Sequence, residues 1–145
     1  MLKGIPEIIP PDLMHALMQM GHGDDIVFGD INFPSFSTAQ RCVYTKGHRI
    51  TDLLVAILDY FPLDTFADDT VTLMRPGGAY EGFVPPVWEE YRGIIKAKDF
   101  AGAFSDFYLM ERFDFYERAK KSFVTVGTSE NAFYACMILR KGVIG

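Results

Sequence analysis

Apolar positions along the chain follow two spacings, one typical of helices and the other of buried strands. From Leu13 to Met20 the apolar residues recur every three or four positions, which predicts a helix with one buried face. This helix would begin at Pro10-Pro11-Asp12, where proline suits the first turn, and would end at Gly21. The short apolar run at 26–28 lacks a helical period and predicts a buried strand.

The rest of the chain continues this alternation of helices and strands. Thr51 is a suitable N-cap for a helix over 52–61, Pro85-Pro86 opens a third helix, and 111–121 predicts a fourth. Predicted strands cover 42–44, 70–74, 123–126 and 133–139, with 34–40 expected as a loop and 104–109 as a strand or a loop. The order predicts an α/β fold, a single three-layer domain over residues 1–145 with a largely parallel or mixed sheet.

Composition and charge exclude several classes of partner. The chain has 49% apolar and 23% charged residues, which is typical of a globular protein, and its formal charge is −5. The 14 basic residues are scattered and form no stripe that could follow a nucleic-acid backbone. No apolar run reaches the ~20 residues that cross a bilayer, so we expect no membrane partner. The aromatic share of 14% suggests either a thick core or a surface buried in an oligomer.

His22 is the best candidate for chemistry, because it stands between two glycines where the first helix meets the first strand. An imidazole with an ordinary pKa of about 6.5 can give and take a proton near neutral pH. The alternative is a loop histidine bonded to the backbone, and the residue alone leaves both possibilities open. Asp30 would stand where the strand ends, where it could orient His22, accept hydrogens from sugar-type hydroxyls, or cap the turn at Asn32.

Other polar residues also admit two interpretations each. Asp64 could act at a site or cap a turn, and Arg112 could bind a ligand together with Tyr116 or form a surface ion pair. Tyr134 could be a core aromatic, and period-two alternation in the last predicted strand would place it on the same side as Cys136.

Sites for metals, phosphates and nucleophiles are not evident in the sequence. His22 and Asp24 lack a third metal ligand, so we expect no metal, and Gly77-Gly78 lacks the spacing and the lysine of a phosphate loop. The two cysteines, Cys42 and Cys136, show neither a metal spacing nor a nucleophile context, and we expect a reducing, cytoplasmic setting. The remaining histidine, aspartate, tyrosine and arginine residues suit proton transfer on a polyhydroxylated ligand without a cofactor.

Several separated motifs resemble one known family along nearly the whole chain. They are Leu2-Lys-Gly-Ile-Pro6, Met20-Gly-His-Gly-Asp24, Asp30-x-Asn-Phe-Pro34, Leu63-Asp-Thr65, the block from Glu111 to Lys121, Tyr134-Ala135 and Leu139-Arg-Lys-Gly-Val143. In this order they resemble the L-fucose mutarotases and their relatives, the D-ribose pyranases. The Gly-His-Gly-Asp form is similar to the fucose branch, since ribose pyranases tend to carry Gly-His-Thr-Asp.

The resemblance implies a cofactor-independent isomerase that interconverts the α and β anomers of L-fucose or a similar monosaccharide. It also implies a ring-shaped homo-oligomer, commonly a decamer of two pentamers, with sites completed by a neighbouring subunit. By position, His22 resembles the proton donor of the family, and Asp30 and Arg112 resemble sugar-contacting residues. The remaining matched positions, assigned to catalysis or binding in the family, are Asp64, Tyr116, Tyr134 and, as a backbone or apolar contact, Met74.

One position departs from the family pattern. Family members usually have Asn two residues after the tyrosine, where this chain has Cys136. A thiol donates weakly and cannot replace both functions of an amide. Because of Cys136, the sequence does not specify the preferred sugar. Two alternatives to an L-fucose mutarotase therefore stay open, namely a D-ribose pyranase and a non-catalytic monosaccharide-binding relative.

Overall fold

Six strands form one mixed sheet in the computed structural model, which describes residues 1–145. The strands are β1 (Asp25–Gly29), β2 (Cys42–Thr45), β3 (Val71–Met74), β4 (Tyr108–Met110), β5 (Val124–Thr128) and β6 (Met137–Arg140). The helices are α1 (Pro11–Gln19), α2 (Ser35–Thr38), α3 (Ile50–Ile57), α4 (Val87–Lys98) and α5 (Arg112–Lys121), with a 3-10 turn at Gly78–Tyr80.

The order of strands in the sheet is β2-β5-β1-β6-β3-β4. Strand β5 runs parallel to both β1 and β2, and β3 runs parallel to β4. Strand β6 is antiparallel to its two neighbours, β1 and β3. The prediction of an α/β fold with a mixed sheet is confirmed.

Helices cover both faces of the sheet, which explains why β1 has no alternation of apolar and polar residues. Ile26 and Phe28 face a large apolar cluster that includes residues of α1, α3 and α4. Val27 faces the other way, into a smaller cluster with Phe115 and Ala119 of α5. Both faces are therefore dry, and the candidate site lies beside the smaller cluster.

Two predicted elements between residues 31 and 61 differ from the structure. The predicted helix over 52–61 is observed at Ile50–Ile57, and Thr51 is not its N-cap, because Arg49 holds that position and its backbone N–H donates to the Asp52 carboxylate (3.2 Å). The predicted loop contains the one-turn helix α2. None of the helices combines the length and the apolar character that a membrane span requires.

The predicted strand over 133–139 begins only at Met137, because Tyr134 adopts a left-handed conformation with φ of 53°. Side chains of α4 bind the carbonyl groups of this segment. The Trp88 indole N–H donates to the Tyr134 carbonyl and the Tyr91 hydroxyl donates to the Ala135 carbonyl, both at 2.9 Å. These bonds satisfy the backbone without a strand partner. Strand alternation is therefore the wrong reason for placing Tyr134 and Cys136 on one side, although both side chains do line the same cavity.

Candidate functional site

A cavity of about 200 Å³ lies where β1 and β3 end, beside the first turns of α5. Six of the predicted site residues line it: Asp30, Met74, Arg112, Tyr116, Tyr134 and Cys136. The other lining residues, which sequence reasoning did not select as site residues, are Asn32, Phe33, Tyr80 and Phe133. Two of these four lie in the Asp30-x-Asn-Phe-Pro34 motif, which could have indicated them, whereas no signal marks the other two.

Asp30 is fixed at the end of β1 by two hydrogen bonds. Its backbone N–H donates to the Cys136 Sγ (3.4 Å), and its Oδ1 accepts the backbone N–H of Asn32 (2.9 Å). The predicted turn cap is therefore present, and the second carboxylate oxygen is left for a ligand. A Cβ at Gly29 would lie 2.8 Å from both the Phe33 ring and the Ser35 Oγ, so the preceding glycine lets the chain fold back beside Asp30.

Arg112 and Tyr116 lie one helical turn apart and both reach the cavity, as their spacing predicts. The alternative of a surface ion pair does not apply, because the Arg112 guanidinium has no carboxylate partner and lies over the Phe113 ring, 4.9 Å from its centroid. The Tyr116 ring stacks on Phe33 at a centroid distance of 5.4 Å. Burial, with smaller contributions from Cys136 and Asp30, raises the pKa of Tyr116, so its hydroxyl is a donor at neutral pH.

Cys136 forms part of the buried wall, with 3% of its surface exposed. Burial, together with the neighbouring Asp30 carboxylate, raises the pKa of the Cys136 thiol well above its usual range. The thiol is therefore neutral and unreactive at physiological pH. Tyr134 reaches the same cavity by its left-handed backbone, and its ring meets Tyr80 edge-on at 5.8 Å.

His22 and Asp64 form a second group, outside the cavity lining. The His22 Nε2 lies 3.2 Å from the Asp64 Oδ1. The imidazole is 48% exposed, while the carboxylate is 5% exposed and also accepts the Phe66 backbone N–H at 3.0 Å. Asp64 thus caps a turn and orients a histidine at once. The alternative of a backbone-bonded His22 is not what the structure shows.

Strand β1 separates the two groups within one chain. His22 precedes its first residue and Asp30 follows its last, and four steps of about 3.3 Å give about 13 Å between the strand ends. The sequence-based possibility that Asp30 orients His22 is therefore wrong within one chain, and Asp64 holds that role. The two residues are close in sequence, but the strand between them keeps them apart in space.

Asp25 is a residue whose surroundings the sequence did not reveal. Asp25 is buried and pairs with Arg118 (2.8 Å) and Arg140 (3.2 Å). Both arginines also bind Asp69, at 3.1 and 2.7 Å. The Arg140 carbonyl accepts the Asp64 backbone N–H (3.1 Å), so this ion network is directly bonded to the backbone that holds the His22–Asp64 pair.

No cluster of three or more His, Cys, Asp or Glu side chains is arranged to hold a metal ion.

Comparison with known proteins agrees with the resemblance found in the motifs. Residues 3–144 match the model of the RbsD / FucU transport protein family. A fucose mutarotase of Homo sapiens is 44% identical and one of Danio rerio is 43% identical, each over 99% of this chain and 94% of the relative. The crystal structure of a fucose mutarotase from Streptococcus pneumoniae in complex with L-fucose superposes with a TM-score of 0.89 at 40% identity, covering 99% of this chain and all of that one.

Proposed function

The chain belongs to the RbsD/FucU family, and we propose that it is a mutarotase that interconverts the α and β anomers of L-fucose or a closely similar monosaccharide. The observation that carries this proposal is the cavity that gathers six of the predicted site residues from four separate parts of the chain. Curated relatives named fucose mutarotase, similar over 94% of their length, support the choice of reaction.

The cavity suits a monosaccharide in size and chemistry. Its volume of about 200 Å³ lies below the range of about 300–1,000 Å³ that drug-sized ligands need. The free oxygen of Asp30 can accept from sugar hydroxyls, whereas Arg112 and the hydroxyls of Tyr116 and Tyr134 can donate to them. The other side of the cavity is apolar and suits the carbon–hydrogen faces of a pyranose.

His22 is proposed as the proton donor. A carboxylate only accepts hydrogen bonds, so the His22 Nε2 donates to Asp64 and leaves Nδ1 to exchange a proton with the sugar. Protonation of the ring oxygen and loss of the proton from the anomeric hydroxyl open the ring to the aldehyde. The aldehyde rotates and recloses from either face. Such acid–base assistance contributes about 10²–10⁴-fold, and no cofactor is needed.

The site is proposed to combine two copies of the chain. A hydrogen bond spans about 3 Å, so a sugar in the cavity cannot reach a histidine at the other end of β1 in the same chain. A neighbouring copy can bring its own His22 and Asp64 to the cavity. Large apolar side chains around the cavity support an interface, because Ile31, Phe113 and Phe133 are all exposed. The family resemblance supports a homodecamer of two pentamers with its sites at subunit interfaces.

A cytoplasmic location is proposed on the chemistry of the two cysteines. Both Cys42 and Cys136 are free thiols, and free thiols persist in a reducing compartment.

The test is the exchange between sugar anomers, measured by saturation-transfer NMR on L-fucose and D-ribose. The protein should accelerate exchange of L-fucose anomers more than that of D-ribose forms, and His22→Ala should abolish the acceleration. His15→Ala, an exposed histidine on α1, is the matched control and should retain it. Faster exchange of ribose would favour the pyranase alternative, and saturable binding without acceleration would favour a non-catalytic relative.

The same measurement examines the departure at Cys136. Cys136→Asn restores the amide that family members usually carry and should change the ratio of fucose to ribose acceleration. An unchanged ratio would show that this position does not set the sugar preference.

A further inference from the structure

Phe66 is an exposed aromatic side chain mounted beside the His22–Asp64 pair. Its residue surface is 76% exposed, and its ring meets the His22 imidazole edge-on with 5.7 Å between centroids. Its backbone N–H donates to the same Asp64 Oδ1 that contacts the His22 Nε2. Phe66 and His22 are therefore both held by Asp64, so a copy of the chain that brings His22 to a site also brings the Phe66 ring.

The anchor beneath Phe66 is buried and well bonded. The Asp64 backbone N–H contacts both the Thr70 Oγ1 (3.0 Å) and the Arg140 carbonyl (3.1 Å). Arg140 is held in turn by the ion network with Asp25 and Asp69. These bonds fix the backbone from which the exposed Phe66 ring projects beside His22.

The cavity at the other end of the sheet has one buried apolar wall, made by Phe33, Met74 and Cys136. Its polar groups lie on Asp30, Arg112, Tyr116 and Tyr134, and the exposed rings of Tyr80 and Phe133 complete the lining. A sugar seated there keeps one side open to solvent, and His22 of a neighbouring copy must enter from that open side.

We propose that Phe66 of one copy packs against the carbon–hydrogen face of the sugar held in the cavity of the neighbouring copy. This inference rests on the proposed function. The ring closes the open side together with His22 and excludes water from the hydrogen bond between the imidazole and the ring oxygen. A drier environment strengthens that bond and holds the sugar in a reactive orientation.

Substitution of Phe66 separates this role from a general effect on folding. Phe66→Ala should raise KM for L-fucose about five- to tenfold, as expected from the loss of an aromatic contact, with a smaller change in kcat. The matched control is Phe100→Ala, a more exposed phenylalanine that belongs to neither group, which should leave both constants unchanged. Mass measurement should give the same assembly for both variants. An unchanged KM for Phe66→Ala would overturn the inference.

Mixed oligomers test whether Phe66 acts from the copy that supplies the histidine. When His22→Ala copies are co-expressed with Arg112→Met copies, each intact site takes its histidine from an Arg112→Met copy. Phe66→Ala added to the Arg112→Met copy should raise KM, whereas the same change on the His22→Ala copy should not. Equal effects from both placements would contradict the inference. If the wild-type protein itself gave no acceleration, the proposed function would fail instead.

Discussion

Replacement of Arg118 by methionine tests the ion network beneath the His22–Asp64 pair. The Arg118 guanidinium binds both oxygens of Asp25, with its Nε at 2.8 Å and its Nη2 at 3.0 Å. Its Nη1 donates to Asp69 (3.1 Å) and to the Thr72 Oγ1 (2.8 Å). Arg140 binds the same two aspartates, so two arginines balance two aspartates. Arg118→Met keeps an unbranched side chain but removes all of these hydrogen bonds.

The expected cost follows from burial. The side chains of Arg118 and Asp25 are 11% and 10% exposed, and removal of one partner from a buried pair costs about 3–5 kcal/mol. Arg140 still neutralises part of the charge, and Asp69 is more exposed than Asp25. We therefore expect the lower end, about 3 kcal/mol of unfolding free energy.

Urea denaturation at one fixed protomer concentration measures this loss. The midpoint should fall while the slope of the transition stays constant, because the surface exposed on unfolding is the same. Lys120→Met is the matched control on the same helix, since Lys120 forms an exposed pair with Glu117, and it should leave the midpoint unchanged. A midpoint for Arg118→Met that equals this control would refute the reasoning.

Three further predictions concern the walls of the cavity. Cys136 should resist alkylation by iodoacetamide at pH 8 in the folded protein, since burial raises the pKa of its thiol. Mass spectrometry measures the labelling, and a labelling rate equal to that of a free thiol would contradict this. Burial also raises the pKa of Tyr116 above its ordinary value of 10.0, so the phenol keeps its proton to higher pH. The rate of catalysed anomer exchange should therefore not fall below pH 10 through ionisation of this group. A fall in rate at lower pH that disappears in Tyr116→Phe would contradict this. Glu130 is fully buried, and its Oε1 accepts the backbone N–H groups of Asn131 and Ala132, both at 3.1 Å, ahead of Tyr134. Its Oε2 pairs with the Arg49 Nε at 3.2 Å. Glu130→Gln keeps one oxygen for the two N–H groups but sets an amide NH2 group against Arg49, so the segment should shift and KM for the sugar should rise. Glu90→Gln, at the exposed partner of Arg49, should leave KM unchanged, and equal KM values for the two variants would exclude a role of Glu130 in shaping the cavity.

Local patterns were sufficient where the determining contacts are local. The apolar run at 26–28 predicts a strand covered on both faces, and β1 is such a strand. The spacing of Arg112 and Tyr116 places both on one side of α5, whatever lies opposite. The motif resemblance added the grouping of residues distant in sequence, which no local pattern could supply.

Long-range contacts account for what the sequence did not reveal. The segment before Met137 has the composition of a strand, but hydrogen bonds from Trp88 and Tyr91 hold it in another conformation. Asp25 resembles a surface residue until α5 and β6 bring two arginines to it. The separation of His22 from Asp30 depends on the length and direction of the strand between them. Such features follow from the packing of whole elements, which a single sequence does not specify locally.

Co-expression of two inactive variants tests most directly whether catalysis uses His22 from one copy and the cavity of another. The His22→Ala protein and the Arg112→Met protein should each fail to accelerate the exchange of L-fucose anomers. In mixed oligomers about a quarter of the sites should be intact, because each site draws on two copies at random. Recovery of activity near that fraction is the expected result. Mixed oligomers as inactive as either parent would contradict a site shared between copies.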